Sequence, residues 1–256
     1  LFAATIVNAT VIHSGLLNGP RKTFLIFVMS YIPAYLVTLI EDFTGKIPIR
    51  YRLLGLSISA ALCYALTQHA LQSVNVWGLD RLLAIPAVAV LLTLLCVTGT
   101  AVAFNLIDGL NGLASLTGVM ACLGLAGFAL QLNDMKLLAV SIVTAAAIFG
   151  FFAVNWPRGR IFMGDAGANM IGFVIAWLAV VMKVRHPEIS AFACVLVFIQ
   201  PITEMGYAAY RRIRTKQKLS EPDREHLHTL LYQYAAAHWF AGRSNVFCNS
   251  ACGLAL

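Results

Sequence analysis

Long apolar runs alternate with short polar loops along almost the whole chain. The runs cover about 2–17, 24–40, 53–72, 82–104, 113–131, 136–154, 170–183 and 190–208. The run 53–72 has 20 residues, about 30 Å of helix, which matches the hydrocarbon thickness of a bilayer. In lipid the backbone must satisfy its own hydrogen bonds, so such runs predict helices. The first and seventh runs are the shortest. Pro33, Pro86 and Gly99 fall inside runs, where a spanning helix tolerates them. The pattern predicts an all-α fold: a polytopic transmembrane helical bundle of about eight spans.

Composition narrows the classes further. Of 256 residues, 60% are hydrophobic and 11% charged, and the mean hydropathy is +0.80. Soluble domains carry about 25% charge. An ordinary soluble enzyme, a disordered tail and a coiled coil are therefore excluded. The net charge of +7 fits cytoplasmic loops and does not imply nucleic acid. If the spans alternate, the loops 41–52, 105–112, 155–169 and 209–229 share one side. They hold eleven Lys and Arg against six opposite. That bias places them in the cytoplasm, although Arg21 and Lys22 fall on the other side.

Cys63, Cys96, Cys122 and Cys194 lie in apolar runs, and Cys248 and Cys252 in the tail, so no structural disulfide is expected. The chain opens on Leu1 in apolar sequence with no secretory leader pattern. Residues 1–230 read as one integral-membrane domain truncated at its start, and 231–256 as an atypical tail.

Each of the four loops carries chemistry of its own. The first has adjacent acids, Glu41 and Asp42, at the end of an apolar run. Acids at a helix C-terminus oppose the macrodipole, and a divalent cation would offset that cost. A solvated polar stop is the plainer reading. The second, Asn105-Leu106-Ile107-Asp108-Gly109-Leu110-Asn111-Gly112, has no basic residue. Its Asn105, Asp108 and Asn111 would share one face of a helical turn. A helix-ending Asp-Gly turn explains it equally well. The third runs from Asn155 through Arg158, Arg160 and Phe162 to Gly164-Asp165-Ala166-Gly167. A helix start attracts anions, an Asp there can hold a bridging metal, and arginines suit phosphate oxygens. The fourth ends in Glu221-Pro222-Asp223-Arg224-Glu225-His226-Leu227-His228. A His-x-His pair binds metal, shuttles protons or contacts phosphate. No His-Glu-x-x-His, Walker A loop or Gly-x-Gly-x-x-Gly occurs. Acids, amides, a glycine-rich turn and two histidines on one membrane face suit phosphoryl transfer.

Together these loops resemble the polyprenyl-phosphate N-acetylhexosamine-1-phosphate transferases of glycosyltransferase family 4. The resemblance spans about residues 24–230 and rests on 105–112, Phe162-Met163-Gly164-Asp165-Ala166-Gly167 and Pro222 to His228. The last motif is similar to the sugar-phosphate branch rather than the peptidoglycan branch. The resemblance implies that a UDP-sugar and polyprenyl phosphate give polyprenyl-diphospho-sugar and UMP, with Mg²⁺ or in its place Mn²⁺. It implies a multi-pass protein of the bacterial inner membrane, facing the cytoplasm, that initiates a cell-surface polysaccharide such as O-antigen. Lipid bilayer, UDP-sugar, polyprenyl phosphate and a homodimer are the partners it suggests.

By the same resemblance, Asp165 is the best metal ligand, and Asp108 positions metal and phosphates. Asp42, beside Glu41, is the base or orienting group for the lipid phosphate. Asn155 and Phe162 hold the nucleoside, with Phe162 stacked on uracil, and Asn105 belongs to the same substrate-binding set. His226 and His228 stabilise diphosphate charge, and Lys46 matches a basic position after the acid pair. Three positions depart from the family pattern: Glu41 and Asn111 stand where Asp is common, and Thr229 replaces a third His. Asn111 bears on the uracil contact.

A non-catalytic transporter or lipid-binding membrane protein is the competing class. Glu204, inside an apolar run, favours it, because intramembrane acids mark translocation paths. A plainer role for Glu204 is pairing with Arg211 or Arg212.

Overall fold

A computed structural model describes residues 18–45, 47–216, 226–240 and 243–256, with side chains from Leu25 onward. Its helices are α1 (Asn18–Thr44), α2 (Ile49–Thr67), α3 (Leu79–Leu83), α4 (Pro86–Ile107), α5 (Leu113–Gln131) and α6 (Met135–Asn155). They continue with α7 (Gly164–Arg185), α8 (Ala191–Leu196), α9 (Ile199–Arg214), α10 (Leu227–His238) and α11 (Asn245–Ala255). Six of them are long and apolar enough to cross a membrane: α1 from Leu25, α2, α4, α5, α6 and α7. The chain is a polytopic helical membrane protein.

The span count differs from the expected eight at two runs. The run 2–17 lies outside the described residues. The run 190–208 is broken into α8 and α9 at Val197 and Phe198. The short seventh run has grown to the full α7, because Gly164 to Asn169 join it as helix. Pro86 does not interrupt a span; it starts α4, where its missing N–H costs nothing.

In lipid the hydrophobic effect does not drive helices together, so close packing and interhelical hydrogen bonds must. Helix α7 lies at the centre, against α1, α4 and α5, with Phe173, Ile175 and Trp177 fully buried. Helices α1 and α2 pair, as do α5 and α6. Pro33 disturbs the ladder of α1, and the Ala34 N–H beside it donates to Ser59 Oγ of α2 at 3.0 Å. A neighbouring helix thus satisfies a backbone group near the proline.

The end of the bundle away from the four loops is fastened by polar contacts. Lys183 is 4% exposed and donates to Asn75 Oδ1, Pro187 O and Ile189 O at 3.0, 2.8 and 2.8 Å. Asp134 caps α6 by accepting the Leu137 N–H at 3.1 Å. Its Oδ2 is 3.0 Å from both Arg185 Nη2 and His186 Nε2, which ties the α5–α6 turn to the end of α7. Burial works to raise the Asp134 carboxyl, but His186, the Leu137 N–H and Arg185 together hold it below its ordinary 3.8. A depressed carboxyl stabilises the fold above the unfolded value and loses that contribution as pH falls through the lower folded one. Asp134→Ala is expected to cost about 1–2 kcal/mol at neutral pH, as a lost helix cap does. Thermal unfolding in detergent across pH checks this: the gap from wild type should close as pH drops below 3.8. A gap that stays constant with pH would contradict the assignment.

Candidate active site

The alternating spans bring the ends of four loops together at one end of the bundle. Asp42, in the last turn of α1, reaches the start of α7. Its Oδ1 accepts the Asp165 N–H at 3.1 Å and its Oδ2 the Ala166 N–H at 3.4 Å. The carboxylate thus fills the anion site that an unpaired helix N-terminus creates. Gly164 permits the approach: its φ is +68°, and a Cβ there would stand 2.8 Å from Asp42 Oδ2. Arg52, in the first turn of α2, bridges Glu41 Oε2 at 2.8 Å and Asp165 Oδ2. The cost expected for two acids ending α1 is offset by this guanidinium and by the α7 dipole. The cation reading of loop one is therefore not needed to explain the acid pair.

Helix α4 ends at Ile107, and Asp108 leaves it at φ −77°, ψ 53°. Asn105 stays in the last helical turn and Asn111 lies beyond the helix, so the three do not share one helical face. That expectation fails because Gly109 follows at once and no further helical turn forms. Asp108 is half-buried beside Asp165. Burial, then the Asp165 charge, push its carboxyl up to about 6, while His228 works the other way.

Asn155, 6% exposed, clamps the second loop to the third. Its Oδ1 accepts the Gly112 N–H at 2.7 Å and its Nδ2 donates to Ile161 O at 2.7 Å. Gly112 has φ +85°, and a Cβ there would stand 2.9 Å from the Phe152 ring, so only glycine suits the turn. Phe162 is 85% exposed. It stands at the mouth of a cavity of about 250 Å³ between α1, α6 and α7, lined by Phe27, Ile148, Met163 and Ile171. A larger apolar cavity of about 520 Å³, lined by Leu71, Lys183 and Phe198, is remote from these carboxylates.

The tail contributes α11, which docks on the same loops. Asn249 Oδ1 accepts the Asn111 N–H at 2.6 Å, and the Asn111 side chain donates to Ser250 Oγ at 3.1 Å. Trp156 Nε1 donates to Ser250 O at 3.2 Å. His226 and His228 open α10, stacked 5.3 Å apart and nearly parallel at 4°. Lys46, and Glu221 to Glu225, lie outside the described residues.

The family described as Glycosyl transferase family 4 matches residues 24–183, which include the first three loops. The chain belongs to this family. It is 35% identical over 150 residues to a probable undecaprenyl-phosphate N-acetylglucosaminyl 1-phosphate transferase of Bacillus subtilis, covering 57% of this chain and 41% of that protein. It is 34% identical over 149 residues to the undecaprenyl-phosphate alpha-N-acetylglucosaminyl 1-phosphate transferase of Escherichia coli, covering 55% and 40%. It is 27% identical over 219 residues to the decaprenyl-phosphate N-acetylglucosaminephosphotransferase of Mycobacterium tuberculosis, covering 78% and 52%. The chain thus spans about half the length of these relatives or less.

In this family 4 chain, no three His, Cys, Asp or Glu side chains among the described residues converge to cage a metal ion. Mg²⁺ does not require a cage. It keeps several waters and binds through one or two carboxylates plus substrate phosphates. Asp108 and Asp165 supply hard oxygens and repel one another, an arrangement a divalent cation relieves. The donor set fits.

Arg52 and Glu204 were not assigned to the site by the loop motifs. Arg52 ends the first loop outside the acid-pair motif, and its partners come from α1 and α7. Glu204 is an acid in an apolar run, and its partners include the two histidines. Its Oε2 is 3.4 Å from His228 Nδ1 and 3.8 Å from His226 Nδ1.

Proposed function

We propose that this chain carries the catalytic core of a transferase that moves N-acetylhexosamine-1-phosphate from a UDP-sugar to polyprenyl (undecaprenyl) phosphate. The convergence of Asp42, Arg52, Asp108, Asp165 and His228 at one end of the bundle carries this reading. Membership of family 4 supports it. An oxygen of the lipid phosphate attacks the β-phosphorus of the UDP-sugar. The bond between that phosphorus and the bridging oxygen breaks, and UMP leaves with that oxygen.

Asp42 is held rigid by two N–H groups of α7, so it can orient the incoming lipid phosphate. Arg52 supplies a fixed positive charge, and its planar fork suits phosphate oxygens. His228 faces the second loop, and with both ring nitrogens protonated its Nε2–H would donate to a diphosphate oxygen, with His226 stacked behind it. Phe162 offers an exposed ring for the uracil, and the apolar cavity beneath it suits the first isoprene units of the acceptor. Mg²⁺ held by Asp165 and Asp108 would neutralise diphosphate charge. The site faces the cytoplasm of a bacterial inner membrane, a reading that the Lys and Arg bias of these loops supports. The product would start a cell-surface polysaccharide.

The test is UMP release by membranes containing the intact protein, with UDP-N-acetylglucosamine, undecaprenyl phosphate and Mg²⁺. Release that depends on the lipid is expected, and it should vanish on chelation of the metal. Release that does not need the lipid would mark a hydrolase. Absence of release with any UDP-N-acetylhexosamine would overturn the proposal.

A further inference from the structure

Glu204 lies in the second turn of α9 and is 5% exposed. A buried carboxylate is costly unless its oxygens have partners. Its Oε2 accepts the Leu227 N–H at 3.2 Å and lies 3.4 Å from His228 Nδ1. Its Oε1 accepts from Gln200 Nε2 at 3.3 Å. His228 is itself buried, and no well-formed hydrogen bond reaches its Nδ1 among the described residues. Glu204 is therefore the acceptor poised for that nitrogen. Side-chain hydrogen bonds at catalytic sites are often long before substrate arrives and tighten in the complex.

The other edge of the ring decides where this leads. A Cβ built on Gly109 would stand 2.5 Å from His228 Nε2, so that nitrogen presses on the turn that carries Asp108. The imidazole spans from the α9 carboxylate to the second loop. Which nitrogen of a histidine carries the proton is set by the hydrogen bond its other nitrogen makes.

We infer that Glu204 is the positioning residue for His228: it accepts a hydrogen bond from Nδ1–H, which fixes the tautomer, and aims Nε2 at the Asp108–Gly109 turn. This rests on the proposed role of His228 in transfer. It also gives Glu204 a task that needs no translocation path. Carboxylates that orient metal-bound histidines typically matter by about 10–100-fold, and a loss of that order is expected here.

The test uses the intact protein in three forms besides wild type: Glu204→Met, Glu204→Gln and His228→Ala. Glu204→Met should lower kcat by about 10–100-fold while the KM for the UDP-sugar changes little. Glu204→Gln keeps an acceptor of the same size, so it should fall between wild type and Glu204→Met. In a His228→Ala background, Glu204→Met should add almost nothing, because residues acting as a unit are not additive. Multiplying losses, or a Glu204→Gln variant as impaired as Glu204→Met, would overturn the inference. Nitrogen-15 spectra of histidine-labelled protein give a readout independent of turnover. His228 should appear as the Nδ1–H tautomer in wild type and lose that preference in Glu204→Met. An unchanged tautomer overturns the positioning role even where transfer is seen. A changed tautomer without transfer in wild type would instead sink only the proposed activity.

Discussion

Asp165→Asn should abolish lipid-dependent UMP release while leaving the protein folded. The substitution removes one negative charge at nearly constant volume. Stabilisation of diphosphate charge in a transition state is worth several kcal/mol. At 1.36 kcal/mol per tenfold, a loss of on the order of 10³-fold in kcat follows. Folding should survive because the fold uses the backbone of Asp165 more than its side chain. The Asp165 N–H donates to Asp42 Oδ1, and its carbonyl accepts from Asn169 Nδ2 at 2.7 Å. The Arg52 contact is partly exposed and contributes little to stability. Asp108 should also return toward its ordinary range, since the Asp165 charge is one cause of its rise. Turnover measured beside thermal unfolding separates the two effects. Wild-type turnover in the variant would remove Asp165 from the mechanism.

Gly172→Leu should prevent α7 from docking on α4 and so deplete folded protein. A Cβ on Gly172 would stand 2.6 Å from Thr100 O, 2.7 Å from Ala101 Cα and 3.0 Å from Phe104 Cβ. Two of these are backbone atoms, which cannot rotate aside as a side chain can. Overpacking by a methyl group costs about 1–3 kcal/mol, and a larger side chain costs more. Because α7 also packs on α1 and α5, the damage spreads through the bundle. Size-exclusion profiles and thermal unfolding in mild detergent report it. Gly127 is the control, since a Cβ there meets nothing within 4 Å, and Gly127→Ala should behave as wild type. A Gly172→Leu protein of wild-type stability would mean that the α4–α7 contact is not as close as described.

The spans were legible because lipid enforces a simple rule. A run long enough to cross must be helical, and α2, α4, α5 and α6 follow their runs closely. Alternation then put loops one to four at one end; the contacts of Asp42 with Asp165 and of Gly112 with Asn155 bear that out for the first three, and the approach of His228 to Gly109 for the fourth. The run 190–208 misled because hydropathy does not register a helix break at Val197 and Phe198. The spacing of three in 105–112 fits one helical face. The chain instead turns at Asp108, and Asn111 meets α11. The atypical tail proved to be a docked element through the amides of Asn111 and Asn249.

Sequence by itself determined the class of the protein, its family, the side on which its polar loops gather and most of the residues found there. These are consequences of local composition and of motif, which need no knowledge of distant neighbours. Only the tertiary structure decided what each charge is paired with. It put Arg52 between Glu41 and Asp165, seated Asp42 on the start of α7, and turned Glu204 from an isolated intramembrane acid into the support of His228. The partners lie from 11 residues (Glu41 and Arg52) to 124 residues (Asp42 and Ala166) apart along the chain, and packing of α1, α2, α7, α9 and α10 brings them within a few ångströms. At that range, in surroundings of low polarity, the energy of a charge depends chiefly on what faces it.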